Sequence, residues 1–332
     1  CGGGAYDIAT GKRLPKRPAE YAWGRDGRLY GLEPEGGNWR NLKVVRYRAD
    51  GKPEPFEKTG TVRIGKSLFF TVDPKGNVYS TVPNGGIAKY GPDGTLVRKD
   101  FIDMPLPYSS NYGSVSSLMS DWDGNIYLSG SLKPAGHTIP DFFVGRLPWD
   151  TPTKPAPRFF YERFYGSVAK FGPEGGRLEN DPKGPYRMGH NYRGYSHVRA
   201  TGLQWSHVAM SYVLYRHYNY ARCNCERSEF DMDRFDRIFI PNAFRFCVEI
   251  IDKQRNVLLR LGRYGTWRDA GDEGATGKRG PELGWVTSVR ARDGFCLIGD
   301  NVNNRLWKVE LGYHSEEKIP LRYAGNRAKK RD

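Results

Sequence analysis

Four segments of this chain share one design. They read WGRDGRLYGL (23–32), TVDPKGNVYST (71–81), MSDWDGNIYLSG (119–130) and VRARDGFCLIGD (289–300). Each joins a short strand to an alternating apolar strand through a turn that holds aspartate and glycine. The pairing suits a tight hairpin, because glycine takes positive φ and the aspartate side chain bonds the turn backbone. A fifth segment, FDMDRFDRIFIPN (230–242), sets Asp236 where the others have glycine. Second hairpins follow in GIAKYGPDGTLV (86–97) and SVAKFGPEGGRL (167–178), with looser counterparts at 44–53 and 247–262. Two hairpins make one four-stranded sheet.

Repetition of such sheets predicts a β-propeller. Gly27, Gly76 and Gly124 are 49 and 48 residues apart, whereas Gly124 and Asp236 are 112 apart, which leaves room for a unit without a signature. Five legible units and one degenerate unit predict an all-β, single propeller of six four-stranded blades over residues 20–322. Residues 1–19 are expected to form a tether and a ring-closing strand, with 6–14 joining the last blade after 307–311. Closure of that kind removes sheet edges. Residues 323–332 form a basic tail.

The last third carries a resemblance. Residues 284–311 resemble an NHL-type repeat, whose pattern is an Asp-x-x-Gly turn, a strand, then Asp-x-x-Asn-x-Arg and an aliphatic residue. Asp300, Asn303, Asn304, Arg305 and Leu306 fall on its second half, and residues 240–265 match it through Asn242 and Arg245. The resemblance implies a propeller. It leaves activity open, because some NHL-type propellers are enzymes: the similar peptide-amidating lyase holds zinc with histidines from several blades. Here four of the six histidines crowd one segment, and only His137 and His314 lie elsewhere.

Two stretches break the repeat. Residues 131–165 form an insertion too long and too rich in proline for a hairpin loop. Its Phe142, Phe143, Trp149, Phe159, Phe160, Tyr161, Phe164 and Tyr165 predict an interaction surface, since large apolar patches mark such sites. The second stretch, 186–225, holds His190, His197, His207 and His217 just before Cys223 and Cys225. Imidazole and thiolate are zinc and copper ligands. One residue between the cysteines, however, is fewer than structural zinc prefers, and half-buried blade residues with polar tips account for the histidines better.

Disulfide chemistry competes with metal. The chain begins at Cys1, followed by Gly2, Gly3 and Gly4, and so resembles the mature end of a bacterial lipoprotein; the alternative is an arbitrary fragment boundary. Export, to the cell surface or beyond, would place it where disulfides persist. Five cysteines cannot all pair within one chain. Cys1, Cys223, Cys225, Cys247 and Cys296 are the crosslink candidates, with Cys247 and Cys296 in apolar strands as buried thiols or a pair across adjacent blades.

Lys+Arg 52 against Asp+Glu 37 gives a formal charge of +15. The charge is dispersed, with no long basic run and no nucleic-acid module, which argues against nucleic acid and leaves an anionic polymer or lipid as a partner. No stretch reaches the roughly 18 apolar residues of a membrane-spanning helix, so membrane contact would come only through a lipid on Cys1. No Gly-x-Ser-x-Gly elbow is present. Asp121/Asp123 and Asp231/Asp233 are explained as turn formers, and calcium, needing six to eight oxygens, is set aside. The sequence therefore predicts a non-catalytic, cofactor-free interaction module that assembles with copies of itself or binds other surface proteins. A zinc or copper propeller enzyme or redox protein is the alternative.

Overall fold

The computed structural model describes residues 20–48, 51–65, 69–82, 86–105, 115–130, 132–138, 140, 165–181, 197–211, 228–266, 281–292 and 294–312. Among them the regular structure is strand, apart from one 3-10 turn at Ala243–Arg245. The first sheet is an antiparallel meander of β1 (Glu20–Trp23), β2 (Leu29–Glu35), β3 (Asn38–Tyr47) and β4 (Val62–Gly65). The second repeats it with β5 (Phe70–Val72), β6 (Val78–Thr81), β7 (Ile87–Tyr90) and β8 (Leu96–Asp103).

Next come β9 (Ser117–Ser120), β10 (Ile126–Gly130), β11 (Lys133–Pro134), β12 (Tyr165–Phe171), β13 (Gly176–Asn180), β14 (His197–Thr201) and β15 (Leu203–Ser211). The third sheet takes the order β9-β10-β12-β15. The fourth is β16 (Asp231–Met232), β17 (Ile238–Asn242), β18 (Cys247–Ile251) and β19 (Val257–Leu261). A parallel pair, β20 (Arg263–Tyr264) and β21 (Glu282–Leu283), leads to a fifth sheet of β22 (Val286–Arg292), β23 (Phe295–Asp300) and β24 (Arg305–Glu310). The five legible sequence units are the opening hairpins of these five sheets.

The turn aspartates explain why. Asp121 Oδ1 accepts from the backbone N–H of Asp123 and Asn125, while Oδ2 accepts from Asn125 Nδ2 and the Tyr127 hydroxyl at 2.7 and 2.9 Å. Asp73 repeats the pattern with Lys75, Asn77 and Tyr79. One carboxylate thus satisfies the turn and anchors a buried tyrosine of the next strand. In the fourth sheet Asp236 holds the glycine position with φ 59°, a left-handed conformation that aspartate tolerates better than most residues.

Successive sheets face one another through separate cores. Tyr30, Leu32 and Val44 meet Phe70 and Val78 between the first two. Tyr79, Phe101 and Ile102 meet Leu118, Ile126 and Phe171 between the second and third. Tyr127, Val168 and Met210 meet Phe230, Ile238 and Ile251, and Phe239, Val248 and Ile250 meet Val286, Val289 and Cys296. Strands covered on both faces are buried throughout, as β10 and β12 are. Full burial of each large side chain contributes roughly 2 kcal/mol. The first strands β1, β5, β9, β16 and β22 line one common cavity. Sheets packed in sequence around a shared axis are the arrangement of a β-propeller.

Among the described residues the third and fourth sheets pack directly, Ser117 Oγ donating to Phe230 O at 3.0 Å, and no further sheet lies between them. One expectation is corrected. The hairpin foreseen at 167–178 is split. β12 stays in the third sheet, whereas β13 crosses to pair parallel with β8 and antiparallel with β14. The second sheet is thereby widened to seven strands, β11-β14-β13-β8-β7-β6-β5, and β15 fills the vacated place. The crossing needs Gly175, at φ 75°, because a methyl there would run into Phe101 O. The expected closing strand, the basic tail and residues 141–164 of the insertion lie outside the described residues.

Candidate functional site

The axial cavity, about 730 Å³ in volume, is built from the ends of the first strands and the turns that follow them. Its walls carry Arg25 from the first sheet, Phe69 from the second, Trp122 from the third, Asp231 and Arg234 from the fourth, and Arg290 and Arg292 from the fifth. A repeated turn therefore presents a different side chain from each sheet to one centre.

Arg25 ties four sheets together. Its backbone N–H donates to Val72 O at 3.4 Å, and its guanidinium donates to Ser120 O at 3.1 Å and Asp233 O at 2.9 Å. It pairs with Asp236 at 3.2 Å and lies 4.8 Å from the centre of the Trp122 ring. Burial pulls its pKa below the usual arginine value, and Asp236, Asp121, Asp233 and Asp231 oppose that shift. Burial likewise raises the Asp236 carboxyl against the pull of Arg25.

Asp231 is buried in the same wall. It accepts from the N–H of Met232 and of Ala291, each at 2.9 Å, and from Arg292 at 3.5 Å. Burial raises its pKa, while Arg290, those N–H bonds and Arg292 pull it down. Arg290 pairs with Glu229 across the seam between the fourth and fifth sheets, and Asp233 with Arg237 at 2.6 Å. These charges are committed to one another, so the wall is a set of ion-paired ties.

Around it the aromatic surface is open. Trp23 is 60% exposed, Phe235 58% and Trp122 50%. Trp122 Nε1 donates to Arg234 O at 2.7 Å, and the guanidiniums of Arg234 and Arg237 sit 4.7 and 4.8 Å from the Phe235 ring centre. Stacked arginine fixes both the ring planes and the charge.

The residues expected from sequence are distributed otherwise. Tyr165, foreseen in an exposed aromatic surface, is buried between the third and fourth sheets, where its hydroxyl bonds Val208 O and Asn242. Phe142, Phe143, Trp149, Phe159, Phe160, Tyr161 and Phe164 lie outside the described residues, as do Cys1, Cys223, Cys225, His190 and His217. His197, on β14, belongs to the widened second sheet. His207, on β15 of the third sheet, bonds Glu249 Oε1 through Nε2 at 2.6 Å. Among the described residues no three His, Cys, Asp or Glu side chains gather as a metal site. Cys247 and Cys296 are free, buried thiols and not a pair across blades.

Sequence reasoning missed Arg25, Trp122, Asp231, Arg234 and Phe235 as site residues. Their one signal is position: Arg25, Trp122, Arg234 and Phe235 occupy the middle of the Asp-Gly turns, where small polar residues are the norm.

No family model matches this chain, and neither does any curated protein sequence. Among solved structures it is similar to a streptogramin B lyase at TM-score 0.40 and 11% identity, covering 91% of this chain and 69% of that one. Similarity to virginiamycin B lyase from Staphylococcus aureus is at TM-score 0.39 and 10% identity, covering 93% and 77%. A protein of unknown function from Bacteroides thetaiotaomicron is similar at TM-score 0.41 and 13% identity, covering 85% and 56%. At these values the likenesses assign no residue and no reaction.

Proposed function

We propose that this chain is a non-catalytic, exported interaction module, and that its partner, in the first instance a second copy of the chain, docks over the aromatic rim of the axial cavity. One observation carries the reading. Trp23, Trp122 and Phe235 are each half or more exposed, the last two beside arginines already held in place, and aromatics with arginine dominate interface energies. The aromatic insertion 131–165 would add to the contact. The finer fold reading proposed with it is an NHL-type ring closed by residues 6–14.

Light scattering of the full chain at high micromolar concentration tests the assembly. An oligomer that dissociates on Trp122→Ala plus Phe235→Ala supports the rim as the contact. A monomer at every concentration overturns self-assembly, and near-stoichiometric zinc or copper in the purified protein would favour the metal-enzyme alternative instead.

A further inference from the structure

A second cavity, about 330 Å³ in volume, lies where the second and third sheets diverge. It follows from the strand crossing: β12 remains with β10 and β15, β13 departs to β8, and the wedge between them is left open. Its walls are mainly apolar, with Leu132, Ala169, Leu178 and Val198 from the core shared by the two sheets and Leu203 packed against it.

The charge on these walls has one sign. Lys133, whose side chain is fully buried, and Arg199 line the cavity, and among the described residues no carboxylate does. Arg199 is half exposed and gives one Nη to Asp181 at 3.2 Å, so further guanidinium donors remain for a ligand. Ser167 and Ser206 supply the hydroxyls of the lining, and Ser167 Oγ is already bonded to Leu132 O at 2.6 Å.

We infer that this cavity binds a small amphipathic carboxylate, with a hydrocarbon body against the leucine and valine wall and its head at Arg199. The volume falls in the range of small-molecule pockets and exceeds the roughly 150 Å³ that accommodates benzene. Apolar walls favour a body that leaves water, and an anionic head needs a cation at the mouth to offset its desolvation. The inference is independent of the axial rim, and neither depends on the other.

Titration calorimetry of the full chain with decanoate, decanol and acetate tests it. Decanoate is expected to bind once per chain, decanol about tenfold more weakly for want of the charge-assisted bond, and acetate not at all. Arg199→Gln should erase the difference between decanoate and decanol, and Ala200→Phe, at an exposed lining position, should block both. Unchanged far-ultraviolet spectra would confirm that both variants fold. Phosphatidylglycerol vesicles form a second arm: binding that both variants abolish identifies a lipid as the source of the acyl chain and supports the site. No decanoate binding by the folded parent chain overturns the proposal, as does equal affinity for decanol or binding that neither variant alters.

Discussion

Arg25 Nη2 lies 2.9 Å from the main-chain oxygen of Asp233, although 208 residues separate them. The same guanidinium pairs with Asp236, and the two side chains are 14% and 7% exposed. Breaking a buried pair strands the remaining charge, at a cost of roughly 3 kcal/mol or more. Arg25→Ala should lower stability by about that amount, and Arg25→Ala with Asp236→Asn by less than the sum of the two singles. A double-mutant cycle from urea unfolding measures the coupling, and additive losses would show that the tie is idle.

The turn aspartates should not be equivalent. Asp121 is fully buried and accepts four hydrogen bonds, whereas the Asp252 bonds to Gln254 and Asn256 are exposed. Asp121→Ala leaves buried donors unsatisfied and should cost about 3 kcal/mol; Asp252→Ala should cost about 1 kcal/mol. Melting temperatures of the two variants check the order.

Two buried carboxyls should shape the acid response with opposite signs. Burial alone would raise Glu249, but bonds from His207 and Arg260 outweigh it and hold its pKa low. Its contribution is then fully present above the unfolded value near 4.3 and is lost as pH falls through the folded value below that. Asp231, raised by burial, costs stability as pH climbs from about 3.9 toward its folded value. Glu249→Gln should flatten the loss below about pH 4, and Asp231→Asn should be better tolerated at neutral pH than in acid. Stability measured across pH 2–7 for each variant decides.

Burial pushes the thiols of Cys247 and Cys296 up to about 12. Thiolate is the reactive form, so neither should react with a thiol reagent in the native chain at neutral pH, and both should react in denaturant. Mass spectrometry after a timed alkylation reads this directly.

Among the described residues the fifth sheet has three strands, with β24 outermost. If residues 6–14 supply the fourth, deleting residues 1–14 should lower the melting temperature sharply. An unchanged value would remove that strand from the ring.

Sequence made the five opening hairpins legible because their chemistry is local. In the first four the turn aspartate and the residue at positive φ lie within a few positions of the bonds they make, and Asp236 could be aligned with Gly124 for that reason. The strand crossing was not legible. Pro173-Glu174-Gly175 matches Pro92-Asp93-Gly94 as a turn; what separates them is their surroundings, Phe101 O against Gly175 and the Thr59 side chain against Gly94, and both neighbours are remote in sequence. Arg25 was hidden likewise, since its partners Ser120 and Asp233 stand 95 and 208 residues away.

The crossing of β13 also bears on how the ring comes apart. Neighbouring sheets are joined by chain connections, side-chain packing and isolated backbone hydrogen bonds such as Arg25 N–H to Val72 O and Glu229 N–H to Thr287 O, whereas the chain of the third sheet runs on into the second as β13, which pairs there with both β8 and β14. They behave as two staves nailed together, while the others are held by packing and a few pegs. Loss of packing elsewhere should therefore free single sheets and leave this pair intact as the last folded remnant, with the amides of β8, β12 and β13 exchanging together and slowest.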